Sequence, residues 1–186
     1  MSRVPALALS AALAAMAAPT AKAEQLMARF SGEWVGTGQV LLGGQYGAMF
    51  RCELTGDPKA AQLRFDLSGR CWMGGLSAPV SAQLRYNSET AQYIGEFMDG
   101  ADGMGADIVG TRAGEALSLR LSRGTLQGRL TAAKVGADEM KVMLYYRDPE
   151  TSGEQLAAAM GFARPDANSL PHYMPDIITG SINPAN

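Results

Sequence analysis

Histidine is almost missing from this sequence: His172 is the one example in 186 residues. A metal site built from two or three histidines is therefore excluded within one chain, and a histidine-based catalytic triad has only His172 to run through. No serine stands in a G-x-S-x-G elbow. Cysteine is nearly as scarce, with Cys52 and Cys71 alone and no C-x-x-C spacing. Aromatic residues make up 7% of the chain, too few for the two girdles of an outer-membrane barrel. Basic residues are outnumbered by acidic ones, 16 to 18, which argues against nucleic acid or an anionic membrane as partner. The longest apolar run, Val4 to Ala18, falls short of the roughly 20 residues that span a bilayer.

That run follows a positive charge at Arg3 and precedes Ala21-Lys22-Ala23, an A-x-A arrangement. Residues 1–23 are therefore expected to be a secretory signal peptide, with the mature chain starting at Glu24. The residue after the cut is Glu24 rather than a cysteine, so no lipid anchor is expected, and no membrane span. The expected location is the periplasm, with the chain soluble after cleavage. In such an oxidising compartment, two cysteines point to one disulfide, Cys52–Cys71.

From Trp34 to Arg147 apolar residues recur with period two, the mark of half-buried strands. Leu63, Phe65 and Leu67 alternate with Arg64, Asp66 and Ser68, and Val80, Ala82, Leu84 and Tyr86 alternate with Ser81, Gln83, Arg85 and Asn87. Leu117, Leu119 and Leu121 continue the pattern, as do Met140, Val142, Leu144 and Tyr146. Turn signals such as Gly74-Gly75, Asn87-Ser88, Arg123-Gly124 and Asp148-Pro149 separate the runs. The expected fold is all-β, an antiparallel meander barrel of about eight or nine strands, with its apolar face inside. Closure would also remove the exposed sheet edges.

Two helices are expected beside it. Glu24–Phe30 is a short N-terminal one. Thr151-Ser152-Gly153-Glu154 has the form of a capping box, and Leu156, Ala159, Met160 and Ala163 follow at helical spacing, predicting a C-terminal helix that ends before Pro165. The expected organisation is thus a signal peptide over 1–23, one barrel domain over 24–164 and an irregular tail over 165–186.

The segment Phe30-Ser31-Gly32-Glu33-Trp34-Val35-Gly36-Thr37-Gly38 opens the strand series. It resembles the G-x-W entry of the lipocalin and wider calycin group, and its extended G-x-W-x-G-x-G form is similar to that of nitrobindin-like barrels. A glycine such as Gly32 would let the chain turn from the short helix into the first strand, the Trp34 indole would close the barrel base, and Gly36 is a further structural residue of the same motif. In lipocalins an arginine from the end of the barrel packs across that tryptophan. The resemblance implies this role for Arg147, at the close of the last expected strand, with Arg164 the second candidate. Nitrobindin-like proteins bind haem through a histidine late in the barrel; His172 falls beyond the last strand, so neither haem nor any other cofactor is expected. Small periplasmic metalloprotease inhibitors also resemble this chain in their exported barrel, early G-x-W and one disulfide between cysteines about twenty residues apart.

The remaining candidates for chemistry have plainer readings. Glu53, Asp66 and Glu139 lie on the polar phase of strands, a solvated outer face. The loop from Asp99 through Asp102 to Asp107 puts three aspartates among glycines but lacks the spacing and the closing glutamate of an EF-hand. Methionine numbers 11, yet its close pair, Met140 and Met143, must point to opposite faces of a strand and cannot share a copper ion. No metal site is expected. Trp72 points outward if Cys71 points in, to mark a partner site, to cover a strand edge or to meet the final helix. These features predict a non-catalytic protein, not an enzyme, that binds a small apolar ligand or an envelope protein at the open end of the barrel. The alternative is an inhibitor-like or interaction module with a filled core.

Overall fold

The alternating runs form ten strands in the computed structural model, which describes residues 19–43, 46–98, 100 and 105–165. They are β1 (Gly32–Val40), β2 (Met49–Lys59), β3 (Arg64–Met73), β4 (Leu76–Asn87), β5 (Gln92–Met98), β6 (Ala106–Ala113), β7 (Ala116–Arg123), β8 (Leu126–Lys134), β9 (Glu139–Arg147) and β10 (Glu154–Ala163), preceded by the helix α1 (Pro19–Ala28). Each strand pairs antiparallel with the next, and β10 pairs back onto β1, so the sheet closes as a barrel. Inward positions are apolar, with Leu54, Phe65, Leu84, Leu119, Val142 and Phe162 all buried. Outward positions carry Arg51, Glu53, Arg85 and Arg120, all exposed. This is the reverse of a barrel that faces lipid along its wall.

Two expectations are corrected. The barrel has ten strands rather than eight or nine, and the predicted C-terminal helix is β10. Residues 148–153 form a tight turn instead of a helix cap: Ser152 adopts a left-handed φ of 58°, its N–H donates to the Asp148 carbonyl at 2.9 Å, and the Asp148 N–H donates to Gly153 at 3.0 Å. As a strand, β10 satisfies its backbone on both sides, against β9 and β1, and removes the two edges that a nine-stranded sheet would expose. A bulge between Leu156 and Ala158 shifts the register there. An inserted residue interrupts strict alternation, which is why the segment reads as helical from its sequence.

In such a meander the connections alternate between the two ends. The turns at 60–63, 88–91, 114–115 and 135–138 lie at one end, called the floor. The strand ends joined by the β1–β2, β3–β4, β5–β6, β7–β8 and β9–β10 connections lie at the other, the mouth. Helix α1 lies at the floor, where Arg29 pairs with Glu115 of the β6–β7 turn. It buries Ala23, Leu26 and Met27. The helix was expected over Glu24–Phe30; it begins earlier and runs through the expected cleavage point.

Two glycines of the opening segment are required by geometry. Gly32 has φ +84°, and a Cβ there would meet the Arg164 guanidinium at 2.5 Å. At Gly36 a Cβ would lie 2.4 Å from the Phe162 ring and 2.5 Å from the Gly161 carbonyl, so only glycine lets β1 and β10 close at this point. Gly36 lies opposite Cys52 on β2, and Cys52 lies directly opposite Cys71 on β3. The two cysteines are joined as a disulfide.

Candidate functional site

The floor is sealed by side chains the opening motif supplies. Trp34 is 1% exposed, and its indole N–H donates to the Phe30 carbonyl at 3.0 Å. This bond ties β1 to the turn that follows α1. The Arg164 guanidinium lies 4.0 Å from the Trp34 ring centre and also donates to the Ser31 carbonyl. Lys134 approaches the same ring at 4.9 Å; its pKa is lowered, first by burial and then by the nearby Arg164 charge. Beside them Tyr86 and Tyr93 pack with ring centres 5.2 Å apart. Burial, then Tyr86, pushes the Tyr93 hydroxyl up to about 12.

Arg147 does not take the role expected of it. It ends β9 at the mouth, opposite Gln127 and Glu154, with the length of the barrel between it and Trp34. Once β10 is a strand the chain returns to the floor, and Arg164, the first residue after it, meets the indole. One further antiparallel strand reverses the pole at which the barrel ends.

Above this floor the barrel is hollow. A cavity of ≈ 650 Å³ runs from Phe30 to the β3–β4 turn, walled by residues such as Leu67, Phe97, Leu119, Leu130 and Met160 together with the Cys52–Cys71 disulfide. Ser77 is the one polar residue of its lining; it sits near the rim and its Oγ accepts from Arg70 at 3.1 Å. No titratable side chain lines the space. A ten-stranded barrel is wider by about a quarter than the eight-stranded kind, whose interior side chains just fill. The inward glycines Gly38, Gly69, Gly95 and Gly110 contribute no side chain to the interior. The filled-core alternative does not match this interior.

The other sequence candidates fall outside the cavity. Cys52 and Cys71 contribute wall, not reactive thiols. Met140 lines the cavity, whereas Met143 points the other way and accepts from the Tyr145 hydroxyl at 3.5 Å. Glu53 and Glu139 are exposed, and Asp107 lies exposed on β6. His172, Asp99 and Asp102 lie outside the described residues. Among the described residues no three His, Cys, Asp or Glu side chains are placed to hold a metal ion, and no helix is long and apolar enough to cross a membrane. Trp72 finds no C-terminal helix to meet; it stands at the mouth, on the outer face.

The class these features define is a hollow, closed antiparallel barrel, plugged at one end and lined by apolar side chains. A solved structure described as the S-type phycobiliprotein lyase CPES from Guillardia theta has a similar fold, with a TM-score of 0.52 over 76% of this chain and 91% of that one. Sequence identity between them is 8%, so the likeness is one of fold, and the calycin resemblance stands at this coarse level. No family model matches the sequence, and neither does any curated protein. The expectation that this chain is not an enzyme is overturned by the comparison: the similar barrel is described as a lyase, so a hollow barrel of this kind does not separate carriers from catalysts.

Proposed function

We propose that this protein binds a small, elongated apolar molecule inside the barrel, admitted at the mouth, and that it does so in the periplasm after export. The carrying observation is the cavity itself: ≈ 650 Å³, within the range of small-molecule sites, with a wall that offers hydrocarbon and sulfur and no charge. Water in such a space finds too few polar partners, so an apolar guest replaces it at a gain of about 0.8 kcal/mol per buried methylene. A ligand bearing a charge would have to keep it at the rim, because burying it unpaired is costly.

Titration with the neutral fluorophore N-phenyl-1-naphthylamine tests the reading. Saturable enhancement at one probe per chain, reversed by long-chain alcohols, is the expected result. Absence of saturable binding in folded protein would remove the proposal. Export is supported by the Arg3, Val4–Ala18 and Ala21-Lys22-Ala23 pattern, and is tested by the N-terminal residue of the protein recovered from cells. A start at Glu24 keeps Leu26 and Met27, both buried, in what remains of α1.

A further inference from the structure

We infer that the mouth of the barrel seats on the surface of a zwitterionic phospholipid bilayer and that the cavity is filled from it. This rests on the reading that the cavity holds an apolar ligand. Among the described residues, the exposed large apolar side chains are concentrated at one pole. Tyr46, Met49, Trp72, Leu76, Met98 and Leu126 all stand at the mouth, and Val135 is the exception at the floor. Leu76 is 77% and Tyr46 74% exposed, values that keep about three-quarters of each side chain's surface in water.

These six belong to four separate connections, β1–β2, β3–β4, β5–β6 and β7–β8. They therefore form a ring around the opening rather than a patch on one side. A ring with a hole at its centre matches a flat, deformable surface. The ring is also continuous with the cavity, since Leu76 and its neighbour Met73 belong to both rim and lining. A molecule leaving a bilayer would pass from hydrocarbon to hydrocarbon without crossing water.

The charges at this end fit zwitterionic headgroups. On the outer wall Arg51 lies opposite Trp72 and is paired with Glu53 at 2.7 Å, while Arg70 stands two residues before Trp72. Guanidinium groups beside a tryptophan at the rim are placed to meet lipid phosphates while the indole sits at headgroup depth. The paired Glu53 and the net charge of −2 give no advantage to anionic lipid. The β9–β10 side of the same rim carries Arg147 and Glu150, both exposed, and the paired Arg129 and Glu154, a balanced set of charges; at the floor Arg29, Arg112, Glu115, Lys134 and Arg164 gather around α1 and the turns.

The test is co-sedimentation with phosphatidylcholine vesicles, alongside N-phenyl-1-naphthylamine loading in vesicle-free buffer. The wild-type chain is expected to sediment with the vesicles. The double variant Leu76→Asp, Leu126→Asp is expected to lose at least about tenfold in vesicle affinity, given what burying even one leucine contributes. Val135→Asp, at the floor, is expected to bind as wild type, and thermal unfolding checks that all three chains are folded. Adding phosphatidylglycerol is expected to leave binding unchanged or weaker.

Wild-type protein that ignores vesicles, ring variants that bind undiminished, or binding that strengthens tenfold with phosphatidylglycerol each overturns the inference. So does a wild-type dimer that the ring variants dissolve, which would show a second copy covering the ring. If the probe loads but vesicles do not bind, this inference falls and the binding function stands. If the probe does not load, the binding function itself falls.

Discussion

Replacing Ala82 with phenylalanine distinguishes a hollow barrel from a packed one by the sign of its effect. Ala82 is 8% exposed, lines the cavity, and lies between Leu67 of β3 and Phe97 of β5 at mid-height on β4. In a packed core an added ring forces neighbours out of their rotamers and costs about 1–3 kcal/mol. In the ≈ 650 Å³ space the ring has room, and burying it contributes roughly 1.5–3 kcal/mol before the loss of its rotational freedom. A net gain of about 1 kcal/mol is expected, which raises Tm by about 2–4 °C for a chain of this size. The same ring occupies ligand space, so affinity for N-phenyl-1-naphthylamine should fall more than about tenfold, a loss of about 1.4 kcal/mol. Thermal unfolding followed by circular dichroism and fluorescence titration measure the two effects on one sample. A variant destabilised by about 1–3 kcal/mol that binds the probe as well as wild type would refute the reasoning.

Arg164→Ala should lower stability to urea by about 1 kcal/mol through loss of the contact with Trp34, whereas Arg147→Ala, exposed at the other pole, should change it by less than about 0.5 kcal/mol; equal effects would contradict the floor described above. Tyr93 predicts an alkaline weakness. Its hydroxyl ionises near 10.0 when unfolded and about 12 when folded, so the unfolded chain loses its proton first and stability falls as pH rises from about 10 toward 12, by roughly 2–3 kcal/mol in all. Tyr93→Phe should flatten that slope in urea titrations across this range. Removing the disulfide through Cys52→Ala with Cys71→Ala should cost about 3 kcal/mol by the chain-entropy argument for a loop of this length, while far-ultraviolet circular dichroism stays that of a barrel because β2 and β3 remain hydrogen-bonded on both sides of the bridge.

Much of the wall was readable from the chain. Period-two alternation places Phe65 and Leu67, Val80 through Tyr86 and Leu117 through Leu121 on strands with one apolar face, because successive side chains of a strand leave on opposite sides; Leu63, in the same phase, falls instead in the β2–β3 turn with a left-handed φ of 49°. The turn residues separate the runs because glycine, asparagine and proline fit backbone angles that other residues avoid. Gly32, Trp34 and Gly36 stand out for similarly local reasons. Residues 154–163 were not readable in the same way. Their helical spacing is produced by a bulge, and what makes them a strand is the pair of open edges on β9 and β1, which no local sequence contains. From that one strand follows the exchange of Arg147 for Arg164 beneath Trp34, because each added strand moves the chain end to the opposite pole.

The cavity belongs to the same category. Local residue order alone dictates antiparallel strands with an apolar face, a tryptophan near their start and two cysteines available for one bridge, since these depend on neighbouring residues. That the apolar faces enclose a space instead of filling it follows from the closed fold, because strand number and closure set the diameter of a barrel. The closed fold also gathers the exposed apolar side chains around one opening, since turns far apart in sequence share a pole only once the sheet has closed.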